Sequence, residues 1–251
     1  MSVARVMLHQ MRFDVVAQLR NPPVVFFGLA LPVLFLLIFG TLFGGQGGGA
    51  AINFLVPGIT TLGIVSTTFV NLAIGLTIQR ESGYLKRLRA TPVPVGAFLF
   101  GRIGVQVGFA VLITFAIVLC AILVFGAGFS PGAILPTAVV VAVGAATFST
   151  LGIALSAAIP NGDAAPAIAN LVALPLYFVS GVFFPVDSAP AWLNSIADVF
   201  PVKHLAEALF AAFGAAAPPV LEWEQLGLVA VWGVAAVLLS RRFFRWSPAG
   251  T

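Results

Sequence analysis

Charge is scarce in this sequence. Of its 251 residues only 8% are Asp, Glu, Lys or Arg, while 60% are hydrophobic; an ordinary soluble domain is roughly 25% charged. Two long stretches, Asn21 to Gln79 and Ile103 to Gly162, carry no charge at all. So few charges cannot clothe a water-facing surface, and the mean hydropathy of +1.10 agrees. A soluble globular protein is excluded, and an integral membrane chain with small aqueous parts is predicted. The length, enough for one or two soluble domains, reads instead as a single helical bundle spanning 1–251. The net charge of +4 does not point to nucleic acid. Every basic residue except Lys203 falls in or beside segments assigned to one membrane face, so the basic balance reports topology.

Reactive groups are equally sparse. The one cysteine, Cys120, can form neither an intrachain disulfide nor a multi-cysteine metal site. The histidines are His9 and His204, assigned to opposite sides of the membrane, and no G-x-S-x-G or clustered metal ligands occur. Nucleophilic catalysis needs a nucleophile with a base in reach, and none is visible. Neither Lys86 nor Lys203 follows a glycine, so no G-x-x-x-x-G-K-[ST] phosphate cradle exists. The apolar spans hold no ionisable residue in their interiors, which argues against proton-coupled transport, since such residues are costly there and persist for function. No catalytic residue, metal or resident cofactor is therefore assigned. If the protein moves something, the energy enters from a partner.

What is present is a succession of membrane-length apolar runs. Residues 3–20 predict an amphipathic interfacial helix with Ala4, Leu8, Met11, Val15 and Leu19 on one stripe and Arg5, His9 and Arg12 elsewhere; a leader that only fixes orientation is the alternative. Asn21-Pro22-Pro23 ends it. Spans are expected at about 24–43, 54–78, 95–124, 135–159, 166–184 and 225–240, each long enough for a core of roughly 30 Å, with Arg102 snorkelling to the interface. Gly44 to Ala51 reads as an uncharged external turn. Residues 185–218 are too polar and too rich in proline to span, and hold two short helices, about 191–199 and 202–213. The fold class is an all-α integral membrane protein with six spans and both termini cytoplasmic.

The densest charges between the long runs lie in the loop 79–94, QRESGYLKRLRATPVP, placed inside by its Lys and Arg. Tyr84, Leu85 and Leu88 can share one face of a short helix there. It is either a positive-inside loop that fixes topology or a rigid lever whose apolar face docks on a partner.

Two motifs carry a family resemblance. Arg80-Glu81-Ser82-Gly83-Tyr84-Leu85-Lys86-Arg87-Leu88-Arg89-Ala90-Thr91-Pro92 is similar to the R-E-x-G-x-L-x-x-L-R-x-T-P loop of type-2 ABC export permeases. Ser180-Gly181-Val182-Phe183-Phe184-Pro185, followed by Pro190, Trp192-Leu193, Phe200-Pro201 and Glu207-Ala208, resembles that family's signature after the fifth span. The sequence departs at Val202-Lys203-His204, where relatives often carry an aromatic residue, so His204 inherits no role. The resemblance implies a permease for drugs, antibiotics, lipids or glycans in the plasma or inner membrane. It implies a coupling helix (Arg80, Glu81, Gly83, Tyr84, Leu85, Leu88, Arg89) seated in a separate ABC ATP-binding subunit, two copies of which bind ATP and Mg. It also implies a second permease chain, identical or homologous, and external re-entrant helices forming a partial lid (Ser180, Gly181, Pro185, Pro190, Trp192, Pro201, Glu207). Glu81 and the Tyr84–Leu85–Leu88 face would meet the partner, while Lys86, Arg87 and Arg89 hold the loop inside.

Two polar stripes, Thr60, Thr67 and Asn71 in one span and Asn170 and Tyr177 in another, suit a path for an amphiphilic substrate. Hydrogen bonding between neighbouring helices explains them equally well. A rival function from another class is a multi-pass membrane enzyme or assembly factor acting on lipid at the external face through Asp187, His204 and Glu207. An ABC-type sensor or importer subunit stands as a third.

Overall fold

The computed structural model describes residues 3–90, 95–179, 181, 191–214 and 218–243, and every regular element among them is helical. α1 spans Val3–Leu19. Pro22 and Pro23 open α2, where a missing N–H costs nothing. α2 (Pro22–Phe43) and α3 (Ala51–Glu81) are both apolar and long enough to cross a membrane, as are α5 (Val95–Phe125), α6 (Ile134–Ala158) and α10 (Trp223–Phe243). The five match expected spans to within a few residues. The remaining one, expected at 166–184, corresponds to α7 (Ala165–Val179), 15 residues long. That is about 22 Å of helix, short of a hydrocarbon core. Ser180 and 182–190 lie outside the described residues.

Helical backbone runs from Leu31 to Val65, through the segment expected to turn at Gly44 to Ala51. The chain nonetheless reverses between Gly28 and Thr67. The Thr67 hydroxyl donates to the Gly28 carbonyl 39 positions earlier, at 3.2 Å, whereas a straight helix would hold them about 58 Å apart. The run Gly44-Gly45-Gln46-Gly47-Gly48-Gly49 has almost no side chain to obstruct so tight a reversal. Each limb carries one wider π-helical turn, Phe26–Ala30 in α2 and Ser66–Val70 in α3. The two turns lie side by side, joined by the Ser66 and Thr67 hydroxyls donating to the Phe27 and Gly28 carbonyls.

α3 and α6 form the centre. Ile64, Val65 and Phe69 pack with Val140, Phe148, Leu205, Leu209 and Val229 in the largest buried cluster. Gly152 lets α6 approach the α3 π-turn so closely that a Cβ would sit 2.8 Å from the Phe69 carbonyl oxygen. The Thr147 hydroxyl donates to Val229 and the Thr150 hydroxyl to Gly233, so α6 and α10 run parallel. Arg241 and Arg242 therefore share the end of the bundle where α6 stops, called here the basic end.

At the far end lie α8 (Ala191–Ala197) and α9 (Pro201–Phe213), near the two short helices expected at about 191–199 and 202–213. α9 is sunk into the bundle, with Val202, Leu205, Ala208, Leu209 and Ala212 buried. The Trp232 indole N–H donates to the Val199 carbonyl at 3.1 Å. Trp232 lies about 13 Å along α10 from Trp223, so the α8–α9 corner reaches well below the start of α10. Outward faces of α5 (Val111, Phe115, Leu123), α7 (Leu171, Phe178) and α10 (Val231, Val234, Leu238) are exposed and apolar, as lipid-facing surfaces must be.

Candidate functional site at the basic end

α3 runs past the expected limit of its span to Glu81, and a tight turn through Ser82-Gly83 starts α4 (Tyr84–Arg89). Gly83 has φ +72°, a left-handed conformation that favours glycine. This geometry settles which way α4 faces. Leu85 is 1% exposed and packs with Leu72, Leu76, Phe98 and Ile153, with Tyr84 and Leu88 against the same cluster. Of the face expected to dock on a partner, Leu85 is buried within the chain and Tyr84 and Leu88 are half-buried. They plug the gap between the ends of α3, α5 and α6, a burial of about 2 kcal/mol for Leu85 alone. The outward face carries Lys86 and Arg87, both exposed. Thr91 to Pro94 lie outside the described residues, as does the side chain of Arg89.

Arg80 is also turned inward, and Glu81, though exposed, reaches sideways to the loop after α6. Arg80 is 4% exposed. Its guanidinium donates to the Ser156 carbonyl at 2.8 Å and to those of Ile159 and Pro160, closing off carbonyls that the end of α6 leaves unpaired. The Glu81 carboxylate accepts from the Gly162 backbone N–H at 2.6 Å. Two adjacent charges on α3 therefore hold the loop after α6 from both sides.

Arg102, expected to snorkel, is buried in an ion pair. Its Nε lies 3.2 Å from Asp14 Oδ2, its Nη2 donates to Gln79 Oε1, and its guanidinium stands 5.4 Å from the Phe98 ring centroid. Gln10 donates to Asp14 Oδ1 at 3.3 Å and contacts the Tyr84 hydroxyl at 3.4 Å. Burial pushes the Asp14 carboxyl above the usual carboxylate range, against the opposing pull of Arg102 and Gln10. The stripe of α1 facing the bundle is accordingly Gln10, Met11, Asp14, Val15 and Gln18, while Phe13, Val16 and Leu19 are exposed. The expected apolar stripe through Leu19 is rotated, because Asp14 seeks Arg102. The sequence did hold a clue, a lone acid on an otherwise basic helix.

Several polar-stripe residues bond to backbone of their own or a neighbouring helix. Thr60 is buried and donates to its own helix at Val56, and Thr67 binds Gly28. Asn71 stands beside Gly28, Gln106 of α5 donates to the Thr67 carbonyl at 3.1 Å, Asn170 is exposed and bonds Pro166, and Tyr177 is buried. The first stripe joins α2, α3 and α5.

At the far end, Gly181 is buried with φ +75°, Trp192 is 65% exposed and Pro201 opens α9. Ser180, Pro185, Pro190 and Asp187 lie outside the described residues. Lys203 is buried against Asp198 and lies 3.8 Å from Glu207. His204 Nε2 donates to the Asp198 carbonyl at 2.9 Å and its Nδ1 meets Gln225 Oε1 at 2.7 Å. Burial raises the Glu207 carboxyl, offset by Lys203 and His204. His204 is thus engaged in holding α9 to its neighbours, while Glu207 meets Lys203 within α9 itself. Among the described residues no cluster of three or more metal-ligating side chains occurs.

A family model described as ABC-2 type transporter matches residues 9–213. Over 182 residues the chain is 27% identical to a daunorubicin resistance ABC transporter permease protein, DrrB1, of Streptomyces coeruleorubidus; the match covers 71% of this chain and 64% of that protein. It is 23% identical over 225 residues to the inner membrane transport permease YadH of Escherichia coli K12, covering 87% and 81%. It is 27% identical over 204 residues to the putative transport permease ycf38 of Porphyra purpurea, covering 76% and 67%.

Proposed function

The chain belongs to the ABC-2 type transporter family, and from that premise we propose that it is the membrane-spanning permease of an ATP-driven exporter. The cargo is a hydrophobic or amphiphilic compound, in line with the drug-resistance name of the Streptomyces relative. ATP and Mg sit on a separate ABC ATP-binding subunit, present twice beneath two permease chains. Both termini and the basic end face the cytoplasm in this reading, which the Lys and Arg excess supports.

The observation that carries this reading is the way α4 is built in. Leu85 wedges it between α3, α5 and α6, and Arg80 and Glu81 tie the loop after α6 to the same place. A push on the Lys86–Arg87 face is therefore delivered to three membrane helices together. Because that face is basic, the docking cleft of the ATPase is acidic, and charge complementarity sets its register.

The test is co-purification with candidate ATPases followed by reconstitution in lipid. The expected outcome is a complex whose ATP hydrolysis rises with its transported compound. Lipid turnover by the purified chain without any ATPase would overturn the reading.

A further inference from the structure

α1 presents a polar stripe to the bundle where a helix lying freely on a membrane would present an apolar one. Asp14, 6% exposed, and Arg102, 5% exposed, are paired at 3.2 Å. Arg102 also reaches Gln79 at the end of α3, and Gln10 bridges Asp14 to Tyr84 of α4. Met11 fills the recess left by Gly101 and Gly104, where added Cβ atoms would stand 3.6 and 3.0 Å from it. α1 is thus attached to α3, α4 and α5 through six side chains, Gln10, Met11, Asp14, Gln79, Tyr84 and Arg102. None of them belongs to the outward Lys86–Arg87 face.

A buried pair of this kind contributes little net stability, because desolvating both charges offsets their attraction, yet losing one partner strands the other. What such a pair does supply is a single fixed register. The register extends further along the chain. α1 runs through Asn21 into α2, and the α2 and α3 π-turns are joined by Ser66 and Thr67, with Gln106 of α5 bonded to the same turn.

Resting on the permease reading above, we propose that α1 is a fixed member of the coupling unit, clamped by Asp14 and Arg102. These two are positioning residues that make α1, α4 and the basic ends of α3 and α5 move as one body. α1 is not a separate surface anchor that slides as the partner closes.

The test is a disulfide in the native chain. In a Cys120→Ser background, Met11→Cys with Gly101→Cys places one sulfur near the present Met11 Cγ, 3.6 Å from the Gly101 Cβ position. The expected result is efficient crosslinking in membranes, whether the associated ATPase is nucleotide-free or ATP-bound. ATP-driven transport by the crosslinked complex should match that of the reduced form. The double variant Asp14→Leu with Arg102→Met removes both charges together. It should still assemble with the ATPase and hydrolyse ATP, while crosslinking and transport each fall roughly tenfold or more, as expected when a register-setting pair is lost.

Crosslinking confined to one nucleotide state, transport abolished by the crosslink, or parental transport by the double variant would each overturn the clamp. Absence of ATP-driven transport in the parent would count against the permease reading alone. Crosslinking of the solitary chain would still report the clamp.

Discussion

Arg80 shows how a motif can be legible while its direction is not. The sequence identified Arg80-Glu81 as a charged pair at the end of a span, where water or a partner is the obvious destination. Both instead reach sideways to the loop after α6, which no spacing along α3 could reveal, since that loop lies about 80 residues on. Arg80→Ala should leave the carbonyls of Ser156 and Ile159 without partners and lower stability by about 3 kcal/mol, read as thermal unfolding in detergent; Arg80→Lys should lose roughly half as much. Glu207 makes the opposite prediction. Burial raises its folded pKa above the ordinary 4.5, so the folded chain favours the protonated form. That contribution is complete below pH 4.5 and is lost as the pH rises through the raised folded value. Glu207→Gln, neutral throughout, should therefore raise the unfolding temperature at pH 7.5 and change it little near pH 4.5.

Helices were the readable level, because runs of membrane length need no partner to be recognised. α5, α6 and α10 fall within a few residues of their expected bounds. Which face each helix turns inward was less legible. In α1 the apolar period runs through Met11, Val15 and Leu19, but the packed stripe includes Asp14 and Gln18 and leaves Leu19 out. Periodicity measures contrast between faces, and a buried ion pair inverts that contrast. In α4 a six-residue helix is too short for its period to indicate anything beyond a shared face. Individual glycines divide in the same way. Gly104 accommodates Met11, whereas a Cβ on Gly108 meets nothing within 4 Å. Gly152 is the position where α6 and the α3 π-turn depend on close approach. Gly152→Ala should cost about 1–3 kcal/mol through overpacking against backbone, and Gly108→Ala should stay within about 0.5 kcal/mol, both measured by thermal unfolding of the purified chain.

For the whole molecule, what matters is that the basic residues, Lys203 apart, gather at one end among the described residues, where the charges divide into an inner and an outer set. Arg80, Asp14 and Arg102 are buried and bind the chain to itself; Lys86, Arg87, Arg241 and Arg242 are exposed. Composition alone put all of them on one side of the membrane, but it could not separate the two sets, which differ in burial rather than in type. The distinction yields a paired prediction about assembly. Leu85→Asp places a carboxylate in the Leu72–Phe98 cluster and should lower folding yield and stability by several kcal/mol, the cost of an unpaired buried charge. Lys86→Glu with Arg87→Glu alters only the exposed face, so the chain should fold with stability changed by less than about 1 kcal/mol. Its complex with the ATPase should nonetheless be lost, and the parental complex should weaken when salt is raised, since exposed charges are screened over about 8 Å at physiological ionic strength and about 3 Å at 1 M. A charge-reversed permease that still holds its ATPase, with the complex indifferent to salt, would place the docking contact somewhere other than α4.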